Sequence, residues 1–328
     1  MSKKIVWDFD YLKFQIGAAC EKRDILVTHP SGIEEVFKTR TDFYGHWKKK
    51  EGGWLAEYNK GRDKPISWEE FTITDRQHPE PLEFCLSSVR SHIENICEAL
   101  DVSDYEGYIG RGESWRVKAS TIVKYKGNRE GGIRPVHLKA IEEYLLTKHN
   151  ANIVTGLEAD DVCTMECYQN PDNILVFVDK DYMGVNEIHG YNVNTGKLIK
   201  TGKGLGKLEK VKSDVKGIGR KFFYHQILSG DSSDNYFANS ASGVKWAEMS
   251  SYNALVDCKT DKECWEAIVS AYKVLYPEPK IITGWRGDEI EIDWLYVLQE
   301  NATMAHMLRH KDDKFIVKDV LDKLGVNY

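Results

Sequence analysis

The hydrophobic and polar positions of the chain predict strands that alternate with helices over the first two thirds of the sequence. Short apolar runs at 4–10 and 174–178 are typical of strands, whereas apolar residues at helical spacing in 11–23 and 83–100 indicate amphipathic helices. Further strands are predicted at 105–109 and 152–154, and further helices at 135–148, 158–167, 221–228, near 245, 262–276 and 294–308. This alternation predicts an α/β fold with a mainly parallel sheet that helices cover on both faces.

The same pattern divides the chain into regions. Two β-branched runs within 25–37 flank Pro30, Ser31 and Gly32 and predict a hairpin, and a polar, lysine-rich stretch follows it. We interpret 25–80 as an insertion into the α/β core. Beyond Gly230 the pattern is helical only, so we predict a catalytic domain at 1–228 and a helical region at 229–328.

Composition excludes several classes of protein. The 328 residues carry 45 basic and 51 acidic side chains, a formal charge of -6, and 41% of them are hydrophobic, which is typical of a globular protein. The longest stretch without a charged residue, 235–244, is too short to span a bilayer, and the first apolar run ends at Asp8, too soon for a signal peptide. The seven cysteines include no C-x-x-C pair, which favours a reducing cytoplasm over disulfides or a zinc ribbon.

Four acidic clusters stand where predicted elements end. They are Asp8; Glu158, Asp160 and Asp161; Asp179 and Asp181; and Asp231 and Asp234. Because the carboxyl ends of parallel strands meet at one edge of a sheet, the clusters are expected to form one pocket. Two like charges 4 Å apart repel by about 4 kcal/mol at an effective dielectric constant of 20, so such a pocket needs cations or protons.

Divalent metal is the expected answer to this repulsion. Ligation by oxygen alone favours Mg²⁺, Mn²⁺ or Ca²⁺ over zinc. Two Mg²⁺ ions about 4 Å apart would form the arrangement that cleaves phosphodiesters, with Mn²⁺ expected to substitute.

Each cluster alone also has a structural interpretation. Asp8 is compatible with a strand end that faces solvent, the second cluster with the first turn of a helix, and the fourth with ordinary turn residues. The third cluster resembles the start of a calcium loop, but the twelfth position of that loop is Gly190 and not glutamate. The agreement of four clusters, in an order that one sheet can bring together, favours a metal site.

The rest of the chain is positively charged. Without the eight carboxylates the formal charge is +2, eight units above -6. One basic stretch includes an aromatic residue, and its members are Arg116, Lys118, Lys124, Tyr125, Lys126, Asn128, Arg129 and Arg134; a second has nine basic residues within 197–221. Such segments suit a sugar-phosphate backbone and a stacked base, although a solvated lysine-rich loop would have the same composition.

Five segments resemble, in the same order, the signature motifs of the 5'-nucleases, the family of flap endonucleases and phage 5'→3' exonucleases. The segments, at positions 8–14, 125–129, 157–162, 178–182 and 230–235, read DFDYLKF, YKGNR, LEADDV, VDKDY and GDSSDN. The resemblance implies a PIN-like α/β domain, followed by a helix-hairpin-helix-like DNA-binding region. It also implies two Mg²⁺ ions and hydrolysis of DNA near a 5' end.

The resemblance further implies roles for single residues. Asp8, Glu158 and Asp160 would hold the first metal ion, and Asp181, Asp231 and Asp234 the second, with Asp161 and Asp179 in or next to these shells. Lys126 and Arg129 would act as catalytic residues over the scissile phosphate. The DNA-binding residues would be Arg116, Lys118, Tyr125, Lys126, Arg129 and Lys245.

The length resembles a stand-alone phage enzyme, which would act in the host cytoplasm on duplex 5' ends, nicks or flaps during DNA replication or recombination. An RNA-DNA hybrid is a further candidate substrate, no membrane partner is expected, and the sequence names no replication protein as a partner.

The chain departs from the family pattern at two places. The family has an aspartate shortly before an aromatic-arginine pair, whereas here Arg111 or Gly112 precedes Trp115 and the nearest acid is Glu113. The family's G-x-x-G-x-G-x-K hairpin is also altered, with Ala238, Ala241, Gly243 and Lys245 at its positions.

Two other functions fit parts of the sequence. A phosphatase of the haloacid-dehalogenase type would use Asp8 and Asp10 as its D-x-D motif, but it has no role for 125–129 and needs a strand where 222–228 is predicted helical. A branched-DNA binding protein without catalysis would explain the altered family positions. We therefore expect a metal-dependent 5'→3' exonuclease or flap endonuclease, with these two as alternatives.

Overall fold

The computed structural model describes residues 3–328, which form thirteen strands and twelve α-helices. The strands are β1 (Ile5–Asp8), β2 (Glu21–Thr28), β3 (Glu34–Phe37), β4 (Thr72–Pro79), β5 (Tyr105–Arg111), β6 (Asn152–Thr155), β7 (Ile174–Phe177), β8 (His189–Asn192), β9 (Lys197–Lys200), β10 (Lys207–Val211), β11 (Asp214–Ile218), β12 (Lys280–Thr283) and β13 (Glu289–Ile292). The helices are α1 (Phe9–Ala19), α2 (Arg40–Tyr44), α3 (Gly53–Tyr58), α4 (Leu82–Leu100), α5 (Trp115–Ala119), α6 (Leu138–Lys148), α7 (Ala159–Gln169), α8 (Arg220–Ser229), α9 (Glu248–Leu255), α10 (Asp261–Leu275), α11 (Trp294–Ala305) and α12 (Val317–Leu324).

The described residues fold into two compact units, and the larger one contains 3–11, 95–133 and 145–328. Its central sheet has the strand order β6-β5-β1-β7-β8-β9, in which only the edge strand β9 pairs antiparallel. Strand β1 lies between β5 and β7, and its apolar side chains are fully buried, as a strand covered on both faces requires. The predicted α/β class with a mainly parallel sheet is thus confirmed.

The smaller unit contains 12–94 and 134–144. Its sheet is antiparallel with the order β3-β2-β4, and β2 and β3 form the hairpin that the sequence predicts around Pro30. The aromatic residues of 37–71 form its core, led by Phe43, which is fully buried. Most of the predicted insertion 25–80 therefore builds this unit.

The segment between β7 and α8, for which neither strands nor helices were predicted, contains four short strands. One prediction is wrong: the region beyond Gly230, expected to be helical only, contains the hairpin β12–β13. Ile282 and Ile290 of this hairpin pack against the core of the larger unit, which explains why four-residue strands persist among helices. The predicted boundary at residue 228 lies inside the larger unit.

The region after α8 begins with turns and not with a helix. Residues 231–245 form successive turns, and α9 starts only at Glu248. The altered family hairpin, which includes Gly243 at φ 75°, lies in this turn segment. Among residues 3–328 there is no helix with the length and apolar character that a membrane crossing requires.

Candidate metal centre

The topology of the larger unit brings the acidic clusters together. Strand β1 ends at Asp8, and β7, its neighbour in the sheet, ends two residues before Asp179. Helix α7 packs against β1, β5 and β7, and Glu158 precedes its first residue. Carboxylate oxygens of Glu158, Asp160 and Asp161 lie within 4.8 Å of one another, so these three residues could hold a metal ion.

Asp8 is buried at the end of β1. Its Oδ1 accepts a hydrogen bond from the backbone N–H of Asp10 at 2.8 Å, which fixes the carboxylate at the start of α1. Burial, followed by the negative charges of Asp10 and Asp179, raises the pKa of Asp8 to about 8. The site therefore disfavours an isolated negative charge at this position and would favour it beside a cation.

Asp10 extends the acidic edge toward β5. Its Oδ2 accepts a hydrogen bond from the backbone N–H of Gly110 at 3.0 Å. A Cβ atom at position 110 would lie 2.8 Å from this oxygen, so glycine is what permits the close approach.

Glu158 is surrounded by hydrogen-bond donors. Its Oε2 accepts from Arg116 Nη1 at 2.6 Å and from the Tyr125 hydroxyl at 3.1 Å, and its Oε1 accepts from Lys126 Nζ. Burial alone would raise the pKa of this carboxyl, but Arg116 and Lys126 outweigh burial and lower the pKa to about 2. Glu158 is therefore ionised at neutral pH without any metal ion.

Asp161 is fully buried and both of its oxygens are occupied. Oδ2 accepts from Trp115 Nε1 at 2.9 Å and from Arg116 Nη1 at 2.8 Å, while Oδ1 accepts from Arg116 Nη2 at 2.8 Å and from Leu308 N at 3.2 Å. The predicted metal role of Asp161 thus competes with four donors from the protein. Its position within the acidic cluster is as the sequence predicts.

The resemblance to the 5'-nucleases placed Arg116 among the DNA-binding residues. The structure contradicts this prediction, because Arg116 does not lie on the surface. The guanidinium is 1% exposed, and besides Glu158 and Asp161 it donates to the carbonyl oxygens of Met304 and His306 at 3.1 and 2.6 Å. Every contact is internal, so Arg116 connects α5 to the acidic cluster and to the end of α11. An arginine can be buried when the fold places carboxylates within ion-pair distance of its guanidinium.

Asp160 and Asp181 are partly buried and form no ion pair with a lysine or arginine of 3–328. Burial first, and then neighbouring carboxylates, raises the pKa of both groups well above the ordinary value. Asp181 accepts a hydrogen bond from Gln226 Nε2 of α8, and Asp179 Oδ1 accepts from the backbone N–H of Asp181 at 3.0 Å. Sequence reasoning missed Gln226, because no local pattern links α8 to the turn after β7.

Asp231 and Asp234 belong to a turn after α8 and have protein cations of their own. Asp231 Oδ1 accepts from the backbone and the hydroxyl of Ser233, both at 2.6 Å, and its Oδ2 lies 2.9 Å from Lys180 Nζ. Burial would raise the pKa of Asp231, but Ser233 and Lys180 outweigh burial and lower it. Asp234 pairs with Arg129 Nη2 at 2.7 Å and accepts from the Tyr125 hydroxyl at 2.6 Å.

The eight carboxylates thus fall into two equal groups. Four are compensated by ion pairs with lysine or arginine, namely Glu158, Asp161, Asp231 and Asp234. The other four form no ion pair with a lysine or arginine anywhere in 3–328, and they are Asp8, Asp160, Asp179 and Asp181. None of these four carboxylates is therefore neutralised by a direct ion pair, and Lys126, Arg116 and Lys180 act on Asp8, Asp160 and Asp181 only at longer range.

The basic turn that contains Lys126 is joined to the turn of Asp234 by the backbone. Lys126 has φ 55°, and its N–H donates to the carbonyl of Asp234 at 2.8 Å. Asn128, Arg129 and Asn235 add three side-chain bonds between the two turns, at 2.7, 2.9 and 3.0 Å. Of the two asparagines, Asn128 belongs to the basic stretch described above, whereas the contact of Asn235 was not anticipated from the sequence.

The remaining predicted nucleic-acid residues differ in exposure. Tyr125 is 3% exposed and its hydroxyl faces Glu158 and Asp234, so it cannot stack on a base as predicted, and this is a second correction. The side chain of Arg129 is 53% exposed and that of Lys126 is 26% exposed. Lys118 on α5 and Lys245 before α9 are exposed, as is Glu113 in the loop after β5.

Comparisons with known proteins give matches among solved structures only. No family model matches the chain, and no curated protein matches it. Structures of the 5'-exonuclease of bacteriophage T5 match 73% of the chain: a form with bound zinc has 18% identity, 88% coverage of its own chain and a TM-score of 0.44. A bacteriophage T5 flap endonuclease in a complex with DNA and metal ions has 14% identity, 89% coverage and a TM-score of 0.37. These structures are 5'-nucleases, the family that the sequence motifs resemble.

Proposed function

We propose that this protein is a metal-dependent nuclease that hydrolyses phosphodiester bonds near the 5' ends of DNA, with two divalent ions of the Mg²⁺ class. The observation that carries the proposal is the group of four uncompensated carboxylates, beside two cationic side chains that reach the same edge of the sheet. Two divalent cations would match the charge of these four carboxylates, and oxygen ligands suit Mg²⁺ and Mn²⁺.

The donor set fits such ions. Asp8, Asp160, Asp179 and Asp181 supply only carboxylate oxygens. Burial and neighbouring carboxylates raise the pKa of Asp8, Asp160 and Asp181, and a bound cation would relieve this repulsion, whereas Asp179 is exposed to solvent. Bound ions of this class lower the pKa of a coordinated water and stabilise the leaving oxygen of a phosphodiester. Three further carboxylates, those of Glu158, Asp231 and Asp234, already form ion pairs with lysine or arginine. They would position the metal-binding carboxylates and would not bind the metal ions alone.

The basic turn supplies the contact with the phosphate. Arg129 has a half-exposed guanidinium, and Lys126 has an ammonium partly open to solvent beside Glu158. Both groups are positioned by bonds to the turn of Asp234, so they meet an incoming phosphate without large rearrangement. They would stabilise the charge that develops on the non-bridging oxygens during cleavage.

The direct test is degradation of a 5'-labelled DNA duplex. Cleavage that requires Mg²⁺ and is stopped by EDTA supports the proposal, and mapping the products on blunt, nicked and flapped substrates defines the preferred end. Asp181→Asn should abolish cleavage while DNA binding persists, with the exposed Lys323→Ala on α12 as the active control. Full activity of Asp181→Asn would contradict the metal centre.

The rival phosphatase makes a different prediction. Residues 220–229 form a helix before Gly230, and not the strand that a haloacid-dehalogenase phosphatase needs there. Release of inorganic phosphate from p-nitrophenyl phosphate, without cleavage of DNA, would nevertheless favour that class. A protein that binds branched DNA but leaves it intact in Mg²⁺ and in Mn²⁺ would favour the non-catalytic alternative.

A further inference from the structure

One tryptophan of the smaller unit is placed differently from all others. The chain has nine tryptophans, all within the described residues, and Trp47 is the only one with an exposed side chain, at 61%. It lies in the loop 45–52 between α2 and α3, called here the Trp47 loop. No other aromatic ring of the described residues contacts it. An indole exposed in this way contributes little burial energy to the fold, and its ring face is accessible to a ligand.

The Trp47 loop is closed by backbone hydrogen bonds. His46 and Glu51 form a β-bridge, with the N–H of His46 donating to the carbonyl of Glu51 at 2.6 Å, and the N–H of Lys50 donates to the carbonyl of His46 at 2.6 Å. A Cβ atom at Gly45 would lie 1.9 Å from the Glu51 oxygen, so the loop closes only because glycine stands there. The exposed tryptophan is therefore held by a closed loop and does not belong to a loose segment.

Three consecutive lysines, 48–50, follow Trp47, and they are the only run of three lysine or arginine residues in the sequence. The third, Lys50, turns inward, with its Nζ 2.8 Å from the Tyr44 hydroxyl and 4.0 Å from the centre of the Tyr44 ring. Lys48 and Lys49 stay exposed, and Lys48 Nζ lies 5.0 Å from the centre of the Trp47 ring. Lys50 thus attaches the loop to Tyr44, while the Trp47 ring and the positive charges of Lys48 and Lys49 are exposed to solvent.

A ligand for this surface must carry negative charge and a flat apolar face. A single-stranded nucleic acid has both, since its phosphates attract lysine and its unpaired bases stack on indole. A paired duplex offers phosphates but keeps its bases covered, and it would use only the lysines. Because backbone hydrogen bonds already close the Trp47 loop in the free protein, the loop loses less conformational entropy on binding.

We propose that the Trp47 loop is a binding site for single-stranded nucleic acid, in which a base stacks on Trp47 and the phosphates on either side contact Lys48 and Lys49. This contact goes beyond cleavage at the metal centre, because the loop contributes no residue to that centre. It gives the smaller unit a function of its own, namely selection of substrates that carry an unpaired segment.

The test is binding of fluorescein-labelled oligo-dT and of a blunt hairpin duplex, measured by anisotropy in EDTA so that no cleavage occurs. Trp47→Ala should weaken oligo-dT binding by roughly ten-fold or more and leave the duplex unchanged, while Trp47→Phe should retain most of the affinity. The double variant Lys48→Ala, Lys49→Ala should weaken both ligands and reduce the slope of log K against log salt by about 1.4 for oligo-dT.

The matched control is Ile33→Ala, which removes a 70% exposed apolar side chain from the turn between β2 and β3 of the same unit. Oligo-dT affinity of Trp47→Ala equal to that of the unmodified protein would overturn the proposal, as would an equal loss in Ile33→Ala. Because the assay contains no divalent metal, it is independent of cleavage. Failure of the nuclease proposal would appear instead as intact DNA in Mg²⁺, with or without oligo-dT binding.

Discussion

Arg116 and Asp161 form a buried bidentate ion pair, with both distances at 2.8 Å and neither side chain more than 1% exposed. The same guanidinium also donates to Glu158 and to two backbone carbonyls at the end of α11, so a single side chain connects the acidic cluster to this helix. Arg116 was predicted to bind DNA and Asp161 to bind metal, but in the structure the two residues form a buried ion pair with each other.

Arg116→Ala should destabilise the protein strongly. The change leaves Asp161 buried without its bidentate partner, and loss of one member of a buried pair costs about 3 to 5 kcal/mol in the free energy of unfolding. Urea denaturation measures this loss, and Lys118→Ala, an exposed change on the same helix, is the control with an expected effect near zero. Similar stability of the two variants would show that the pair does not support the fold.

Asp160 and Asp161 are adjacent in sequence but should differ in their effect on metal binding. Asp160 has no cationic partner among 3–328, whereas both oxygens of Asp161 are occupied. We expect Asp160→Asn to lower the affinity for Mn²⁺ by at least about ten-fold, and Asp161→Asn to change it much less. Titration calorimetry with MnCl₂ compares the two, and a larger loss in Asp161→Asn would contradict the assignment.

Lys126→Ala should slow cleavage more than it weakens DNA binding. Removal of one positioned donor from a developing negative charge typically lowers turnover by about 100-fold. Single-turnover rates and binding at several salt concentrations separate the two effects, and the slope of binding against salt should fall by roughly one phosphate contact. The control is Lys323→Ala, an exposed change on α12, and an unchanged rate in Lys126→Ala would remove this lysine from the mechanism.

Stability should depend on pH through Asp313, a carboxylate remote in sequence from the acidic clusters. Burial alone would raise the pKa of Asp313, but Arg309 and His306 outweigh burial and hold the pKa far below its usual range. Since the pKa is lower in the folded than in the unfolded chain, this stabilisation is complete above about pH 5 and is lost as the pH falls below about 4.

Asp313→Asn should therefore cost about 2 kcal/mol in the free energy of unfolding at pH 7, and the difference from the unmodified protein should shrink at pH 3. Urea titrations at the two pH values measure this, with the exposed neighbour Asp312→Asn as the control. A difference that stays constant between the two pH values would mean that the carboxylate charge is not the source.

The sequence was most informative where apolar residues are regularly spaced. The positions of β1, β5, β7 and α4 follow from buried runs and amphipathic spacing, and the order of acidic clusters follows from the strand ends. The hairpin β12–β13 was missed because charged and apolar residues alternate over only four residues in β13 and do not alternate in β12. The burial of Arg116 and Tyr125 was missed because their partners lie between 33 and 190 residues away, where no local pattern records them.

The bonds between the Lys126 turn and the Asp234 turn have a further consequence for how this centre can change. The turn that carries the Lys126 ammonium is hydrogen-bonded to the turn that carries the Asp234 carboxylate. A shift in either turn would therefore displace both groups together. Adaptation to a different nucleic acid would then proceed by paired replacements across the two turns, and grafting one turn alone into a related scaffold would misplace the chemistry it is meant to transfer.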